Sequence, residues 1–170
     1  MSKLRHLLSI KARHLLAAVL IAGLGSAPLP AAGQSSSYIK IPNQDAEMEA
    51  AKAQARATLP QFWDRLANPG AGEEGFALKV ALPYGTNNTE HIWTKDVERT
   101  DGKITGVINN VPRDVKGVRI GQRIDIAEAQ ISDWMFLRNG RMVGNYTLRP
   151  LLKRMPPKDA ARYRAMLETP

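Results

Sequence analysis

Few side chains of this sequence are suited to catalysis or to metal binding. There is no cysteine, and two of the three histidines, His6 and His14, lie close to the amino terminus. His91 is therefore the histidine available to a site in the body of the chain, where an imidazole can act as acid, base or ligand. Zinc sites usually draw on several His or Cys ligands. We therefore predict neither a metal site nor a cofactor, and the lack of cysteine excludes disulfides and thiol catalysis.

A hydrolytic site would have to combine His91 with Ser132 or Asp133. Such side chains act together only when they meet in space, and Ser132 lies in the sequence ISDW rather than between the glycines of a nucleophile elbow. Asp133 is equally suited to capping a turn, because its carboxylate accepts backbone N–H groups. A hydrolase is therefore an alternative hypothesis, and the sequence favours a protein that is not an enzyme.

Another set of residues is suited to recognition. His91, Trp93 and Lys95 stand at every second position and would share one face of a strand. They could form a stacking platform, or Trp93 could pack in the core while His91 makes a hydrogen bond at the strand end. The predicted binding surface, provided that the strand and hairpin faces converge, consists of His91, Trp93, Asn110, Asp133, Trp134, Tyr146 and Arg149.

Two connections are expected to contribute to this surface. Asn109 and Asn110 lie in a loop between strands, and loops carry function more often than the scaffold does. Further along the chain, Thr147 is placed to cap a helix. Arg149 is placed to pair with Asp133 or with a carboxylate of a ligand.

Helical periodicity is found at both ends of the domain. Apolar residues recur every three or four positions from residue 48 to residue 66, which predicts a helical segment. Pro60 interrupts its hydrogen-bond ladder, so we expect a kink or two abutting helices. Near the carboxyl terminus, helices are predicted over Leu148–Met155 and Asp159–Glu168.

Between these helices, apolar and polar residues alternate as they do in strands. In the second strand, Val97 is expected on the same face as His91. The predicted strands are Phe76–Leu82, His91–Glu98, Ile104–Ile108, Gly121–Ile126, Ile131–Leu137 and Arg141–Val143. Asp101-Gly102 and Asn139-Gly140 are hairpin signals, and hairpin-length links allow antiparallel pairing. The predicted fold is α+β, a curled antiparallel sheet of four to six strands flanked by amino- and carboxy-terminal helices.

The first residues have the three zones of a secretory signal peptide. Four basic residues precede the apolar run Leu15–Leu24, and small residues follow it. The run is shorter than the roughly 20 residues of a spanning helix. We predict cleavage after Gly33, with Ala32 as the alternative site; the other interpretation is an uncleaved anchoring helix. The predicted organisation is a signal peptide at 1–33, a flexible leader at 34–44 and one domain at 45–168, located in the periplasm or secreted.

Charge is unevenly distributed along the chain. The formal net charge is +8, and loss of residues 1–33 would lower it to +4. That remainder is the sum of +6 in residues 134–170 and −2 in residues 34–133. A basic surface can bind anionic lipid, nucleic acid or an acidic protein, or can simply be a solvated face. Export argues against nucleic acid. The predicted partners are another envelope protein or an anionic envelope component, and no transmembrane segment is predicted in the mature chain.

Four stretches of the sequence carry a family resemblance. EHIWTKDV (90–97), ITGVINNVP (104–112), GQRIDI (121–126) and ISDWMFLRNGRMVGNYTLRPLL (131–152) together resemble the YegJ-like family of uncharacterised bacterial proteins. A looser similarity is to small antiparallel domains grouped with bacterial immunity proteins. The resemblance implies a single recurring domain that is sometimes exported. It supplies no catalytic residues, because the family is described as a domain of unknown function.

The sequence therefore favours an exported, non-enzymatic binding or protein-interaction module. Two alternatives remain open. One is a hydrolase that acts on the cell envelope through His91 with Asp133 or Ser132. The other is an envelope-surface protein held by its basic carboxy-terminal third.

Overall fold

The computed structural model describes residues 45–168. The predicted signal peptide and leader lie outside the described residues. Four helices are present in the described part, namely α1 (Ala46–Ala57), α2 (Leu59–Ala67), α3 (Leu148–Leu152) and α4 (Pro157–Met166). The six strands there are β1 (Glu73–Tyr84), β2 (Asn88–Thr100), β3 (Lys103–Ile108), β4 (Arg123–Ile126), β5 (Ile131–Arg138) and β6 (Arg141–Gly144).

The strands form one open antiparallel sheet in the order β4-β3-β2-β1-β5-β6. The predicted α+β class, with helices from both ends of the domain flanking an antiparallel sheet, is confirmed. The central strand β1 pairs with β2 on one side and with β5 on the other. Side chains of β1, β2 and β5 therefore lie closest to the middle of each face.

The amino-terminal helical segment is two abutting helices, as the proline predicts. The Asp45 carboxylate accepts the Met48 N–H at 2.9 Å and begins α1. Thr58 joins the helices, and Pro60 stands in the first turn of α2. That position tolerates proline because its missing N–H would have had no partner within the helix.

The main core lies between these helices and one face of the sheet. Leu78, Val80, Ile92 and Trp134 are all buried there, with Phe62 of α2 packed against the Trp134 ring. The indole N–H of Trp134 donates to the carbonyl of Ala55 at 2.9 Å, which ties β5 to α1.

A second, smaller core lies on the other face, under α3 and α4. It contains Met142 of β6, Leu152 of α3, Ala160 of α4 and Leu167, with Met135 of β5 packed against it. Neighbouring residues of a strand point to opposite faces, so Trp134 packs in the main core and Met135 packs against the smaller one. These helices cover the β5–β6 end of this face.

A bulge in β2 corrects one prediction about the second strand. The pairing of β2 with β3 shifts between Lys95 and Glu98, and Asp96 has a φ of 48°. The extra residue reverses the direction of the following side chain, so Val97 packs in the main core with Ile92. The sequence had placed Val97 on the face of His91. Alternation read from the sequence runs straight through such a bulge and therefore places Val97 on the wrong face.

Candidate functional site

The part of the second face formed by β1 and β2 lines a groove of about 800 Å³. Its polar lining includes Lys79, His91, Trp93, Lys95 and Asn110. Leu66, Phe76, Ala77, Val97 and Met135 supply its apolar lining. A smaller pocket of about 370 Å³ lies between α2 and β5, lined by residues that include Arg65 and Arg138. The larger groove is the candidate site, because it combines an apolar floor with convergent polar groups.

The groove extends into a gap between two neighbouring strands. The ladder between β1 and β2 begins at Leu78 opposite Thr94. Beyond that point β1 pairs with β5 and β2 pairs with β3, each through a bulge, one beside Gly75 and the other at Asp96. The two bulges bend the strands apart, and Val97 lines the space between them.

His91 lies on β2 at the other end of the groove. Its Nδ1 is 2.9 Å from Oγ of Ser132, and the same Oγ donates to the carbonyl of Lys79 at 3.1 Å. Partial burial of the ring, with the positive charges of Lys52 and Lys79 nearby, lowers the pKa of His91 to about 4. The imidazole is therefore neutral at pH 7, although the residue remains accessible to solvent.

Lys79 of β1 is held against the floor of the groove. Its Nζ donates to Oγ1 of Thr147 at 2.6 Å and lies 4.8 Å from the centre of the Trp93 ring. Burial lowers the pKa of Lys79, and the negative charge of Asp133 partly opposes this. The Thr147 hydroxyl donates in turn to Asp133 at 2.6 Å. Thr147 therefore links Lys79 to Asp133, and its side chain does not cap α3 as the sequence predicts.

Asp133 is fully buried and accepts four hydrogen bonds. The donors are the backbone N–H groups of Trp134, Tyr146 and Thr147, together with the Thr147 hydroxyl. This is the turn-capping arrangement considered from the sequence, and it joins β5 to the turn before α3. A carboxylate occupied in this way does not reach the groove as a base.

The loop between β3 and β4 forms one wall of the groove. The side-chain oxygen of Asn110 accepts the N–H of Trp93 at 2.8 Å. Further along, the Glu90 carboxylate accepts the N–H groups of Arg113, Asp114 and Val115 at 2.9 to 3.0 Å. Burial alone would raise the pKa of Glu90, but these three donors outweigh it and lower the pKa. The ionised Glu90 thus anchors the loop beside the groove.

The structure brings together only part of the predicted binding surface. His91, Trp93 and Asn110 line the groove. Asp133, Trp134 and Tyr146 are buried, because they hold the cores and the turn together. Arg149 is half-buried, and its guanidinium contacts the carbonyls of Gly144 and Glu168 and the ring of Tyr146. The sequence also suggested that Arg149 pairs with Asp133, but this ion pair is not among the contacts of either side chain.

The sequence does not predict several residues of the groove, among them Lys79 and Met135. Lys79 interrupts the apolar run FALKVAL on the face opposite Leu78, and that lone lysine was the available signal. Met135 carries no such signal, because a methionine in a strand is typical of a core. Within residues 45–168, no three His, Asp or Glu side chains are grouped as metal ligands. No helix in that range is long and apolar enough to span a membrane.

Fold and groove together define a small α+β domain with an open antiparallel sheet and a polar groove on one sheet face. Comparison with known proteins identifies the chain as a member of a family of uncharacterised proteins conserved in bacteria (DUF2314), whose model matches residues 45–168. The predicted YegJ-like resemblance is thereby confirmed.

Two relatives illustrate the family. The chain is 40% identical over 92 residues to the uncharacterised protein YegJ of Escherichia coli (strain K12), covering 54% of this chain and 60% of that protein. It is 27% identical over 133 residues to a putative ankyrin repeat protein of Neisseria meningitidis serogroup B, covering 74% of this chain and 52% of that protein. The chain thus spans between half and two thirds of the length of these relatives. No solved structure matches the chain.

Proposed function

We propose that this chain is an exported, non-enzymatic protein-interaction module that binds its partner in the groove between β1 and β2. The observation that carries this proposal is the gap where the two strands diverge, with an apolar floor and with polar groups along its rim. A concave site with an apolar lining and a few placed polar groups is typical of binding sites, where the polar groups fix the orientation of the bound group. The neisserial relative, named as a putative ankyrin repeat protein, is consistent with a role in protein interaction.

The geometry of His91 favours this proposal over hydrolysis. Ser132 is 2% exposed, and its hydroxyl is committed to the Lys79 carbonyl. A nucleophile must reach its substrate, and a base must receive the proton of that nucleophile. Neither Ser132 nor the fully occupied Asp133 meets this condition. The remaining alternative, envelope attachment through the basic carboxy-terminal third, would be tested by salt-sensitive binding to anionic vesicles.

Affinity capture from an envelope extract tests the binding function. The immobilised chain is compared with Trp93→Ala and Lys95→Glu, which alter the groove, and with Lys103→Glu, which makes the same charge change on an exposed part of β3. We expect a protein that is retained by the wild type and by Lys103→Glu and lost by both groove variants. Equal retention by all four forms would exclude the groove. Thermal unfolding of each variant must show that it is folded.

Export is part of the proposal and has its own test. The charged, apolar and small-residue zones of residues 1–33 support it. Expression of the full chain in its native host should give a mature protein that begins at Gln34 and is found in the periplasmic or extracellular fraction. A protein that retains residues 1–33 in the cytoplasmic fraction would contradict export. Mass spectrometry of the purified chain reads the terminus directly.

A further inference from the structure

The hydrogen bonds of Ser132 determine which nitrogen of His91 carries the hydrogen. Oγ of Ser132 lies 2.9 Å from Nδ1 of His91 and 3.1 Å from the carbonyl oxygen of Lys79. A carbonyl oxygen can only accept, and a hydroxyl has a single hydrogen to donate. Ser132 therefore donates to Lys79 and accepts from Nδ1. The neutral ring carries its hydrogen on Nδ1, which leaves the lone pair on Nε2.

We propose that His91 is a fixed hydrogen-bond acceptor of the groove, and that its Nε2 receives a backbone N–H group of an extended segment of the partner. Ser132 is then a positioning residue, which acts by holding the imidazole in one tautomer. This inference rests on the proposed protein-interaction function and adds to it the form in which the partner binds.

The shape of the groove matches an extended chain. From His91 to Val97 the groove follows β2 over seven residues, whose six steps span about 20 Å. An extended segment of similar length offers N–H and C=O groups alternately along its edge. Nε2 of His91 would accept from one N–H, and Nζ of the exposed Lys95 would donate to a carbonyl further along. At the far end, the apolar gap beside Phe76 takes one side chain.

The charges around His91 keep the acceptor available at neutral pH. Lys52 of α1 and Lys79 of β1 oppose a positive charge on the ring, and Glu49 of α1 only partly offsets them. Ser132 of β5 is uncharged. An imidazolium would have no lone pair on Nε2, so these neighbours preserve the binding form of the ring.

The first experiment is performed on the free chain. Nitrogen NMR of the imidazole should show a hydrogen on Nδ1 and a lone pair on Nε2 at pH 7. In Ser132→Ala, the Nδ1 hydrogen loses its acceptor, so the share of the Nδ1–H tautomer should fall. A wild-type ring with its hydrogen on Nε2, or an equal mixture of the tautomers, overturns the inference and leaves the protein-interaction function standing.

The second experiment uses phage-displayed random heptapeptides selected on the purified chain. The best peptide whose binding is lost in Trp93→Ala is resynthesised with each backbone nitrogen methylated in turn. One methylation should weaken binding to the wild type about three- to tenfold, the effect of one hydrogen bond. The same methylation should have little effect on His91→Phe. In His91→Gln, which restores an acceptor, part of the effect should return.

The outcomes separate the two proposals. If groove-binding peptides are selected but no methylation is coupled to His91, the acceptor role is wrong and the interaction function remains. If selection yields no peptide that depends on Trp93, the groove does not bind extended segments, and both proposals fail.

Discussion

The buried carboxylate of Asp133 connects two parts of the domain through its hydrogen bonds. It lies at 0% exposure and receives four donors from β5 and from the turn before α3. Such a group stabilises the fold only while all its partners are present, because an unpaired buried polar atom is costly. Asp133 thus fixes the position of Thr147, which in turn holds Lys79 at the floor of the groove.

Asp133→Asn should lower the free energy of unfolding by about 2–4 kcal/mol, because an amide cannot accept from all four donors. Asp125→Asn is the matched control. Asp125 is 76% exposed and pairs with Lys103 at the surface, so its loss should cost less than about 0.5 kcal/mol. Denaturant unfolding measures both values. Equal effects would show that the Asp133 network contributes little.

The lowered pKa of His91 makes stability depend on pH. In the unfolded chain histidine titrates near pH 6.5, whereas in the folded chain its pKa is about 4. Between these values the unfolded chain binds more protons, so the free energy of unfolding should fall as the pH drops from 6.5 to 4. The effect is smaller than the full shift implies, because the residue is partly solvated.

His91→Gln should remove this part of the pH dependence. Protonation of acidic residues with lowered pKa values, such as Glu73 and Glu90, also lowers the free energy of unfolding, but it does so in both proteins. The difference between the two unfolding curves therefore reports on His91. Parallel curves for wild type and variant between pH 4 and 7 would contradict the lowered pKa.

At the scale of elements, the short strand β6 depends on a glycine. Gly144 has a φ of 79°, and a Cβ there would lie 2.5 Å from the Trp134 carbonyl oxygen and 2.7 Å from the indole ring. The backbone can approach the ring only because no side chain is present. This close approach seats Trp134 between β6 and the helices.

Gly144→Ala should therefore destabilise the protein by about 1–3 kcal/mol more than Gly140→Ala. Gly140 has a similar φ of 77°, and a Cβ there meets nothing within 4 Å. The two substitutions share the cost of left-handed backbone and differ in the clash with Trp134. Unfolding free energies of the two variants give the comparison, and similar values would mean that Trp134 shifts freely.

At the scale of the whole molecule, the carboxy-terminal segment covers the β6 edge of the open sheet. Leu167 bridges to Met142, and the Glu168 N–H donates to the Met142 carbonyl at 2.8 Å, which covers the β6 edge. Arg138 joins Glu168 to the buried carboxylate of Glu73. The segment thus connects the smaller core to the first residue of the central strand.

Removal of residues 159–170 should lower stability by about 2–4 kcal/mol, since burial of Leu167 alone contributes about 1.5–3 kcal/mol. It should also promote association, because the uncovered β6 edge can pair with another chain. Removal of residues 169–170 alone leaves Leu167 and Glu168 in place and is the control. Size-exclusion chromatography and thermal unfolding test both effects, and a stable monomer would show that α4 is dispensable.

Local sequence predicted the elements well. Alternating residues and the Asp-Gly and Asn-Gly turns located the strands to within a few residues, because hairpins depend on neighbours in the chain. Pro60 divided the first helical segment as expected. The bulge at Asp96 was not predicted, since the residues around it still alternate and its cause is the pairing with β3.

The sequence by itself determined the class of fold, the two helical ends and the residue types from which a site could be made. Tertiary structure decided which of those residues meet. Trp134 and Tyr146 were expected at a surface and are buried, whereas Lys79 was overlooked and lies in the groove. Periodicity fixes the face to which a side chain points, but only packing decides whether a helix covers that face. The helices α3 and α4 cover the β5–β6 end and leave the β1–β2 part open, and so the groove is a property of the assembled domain.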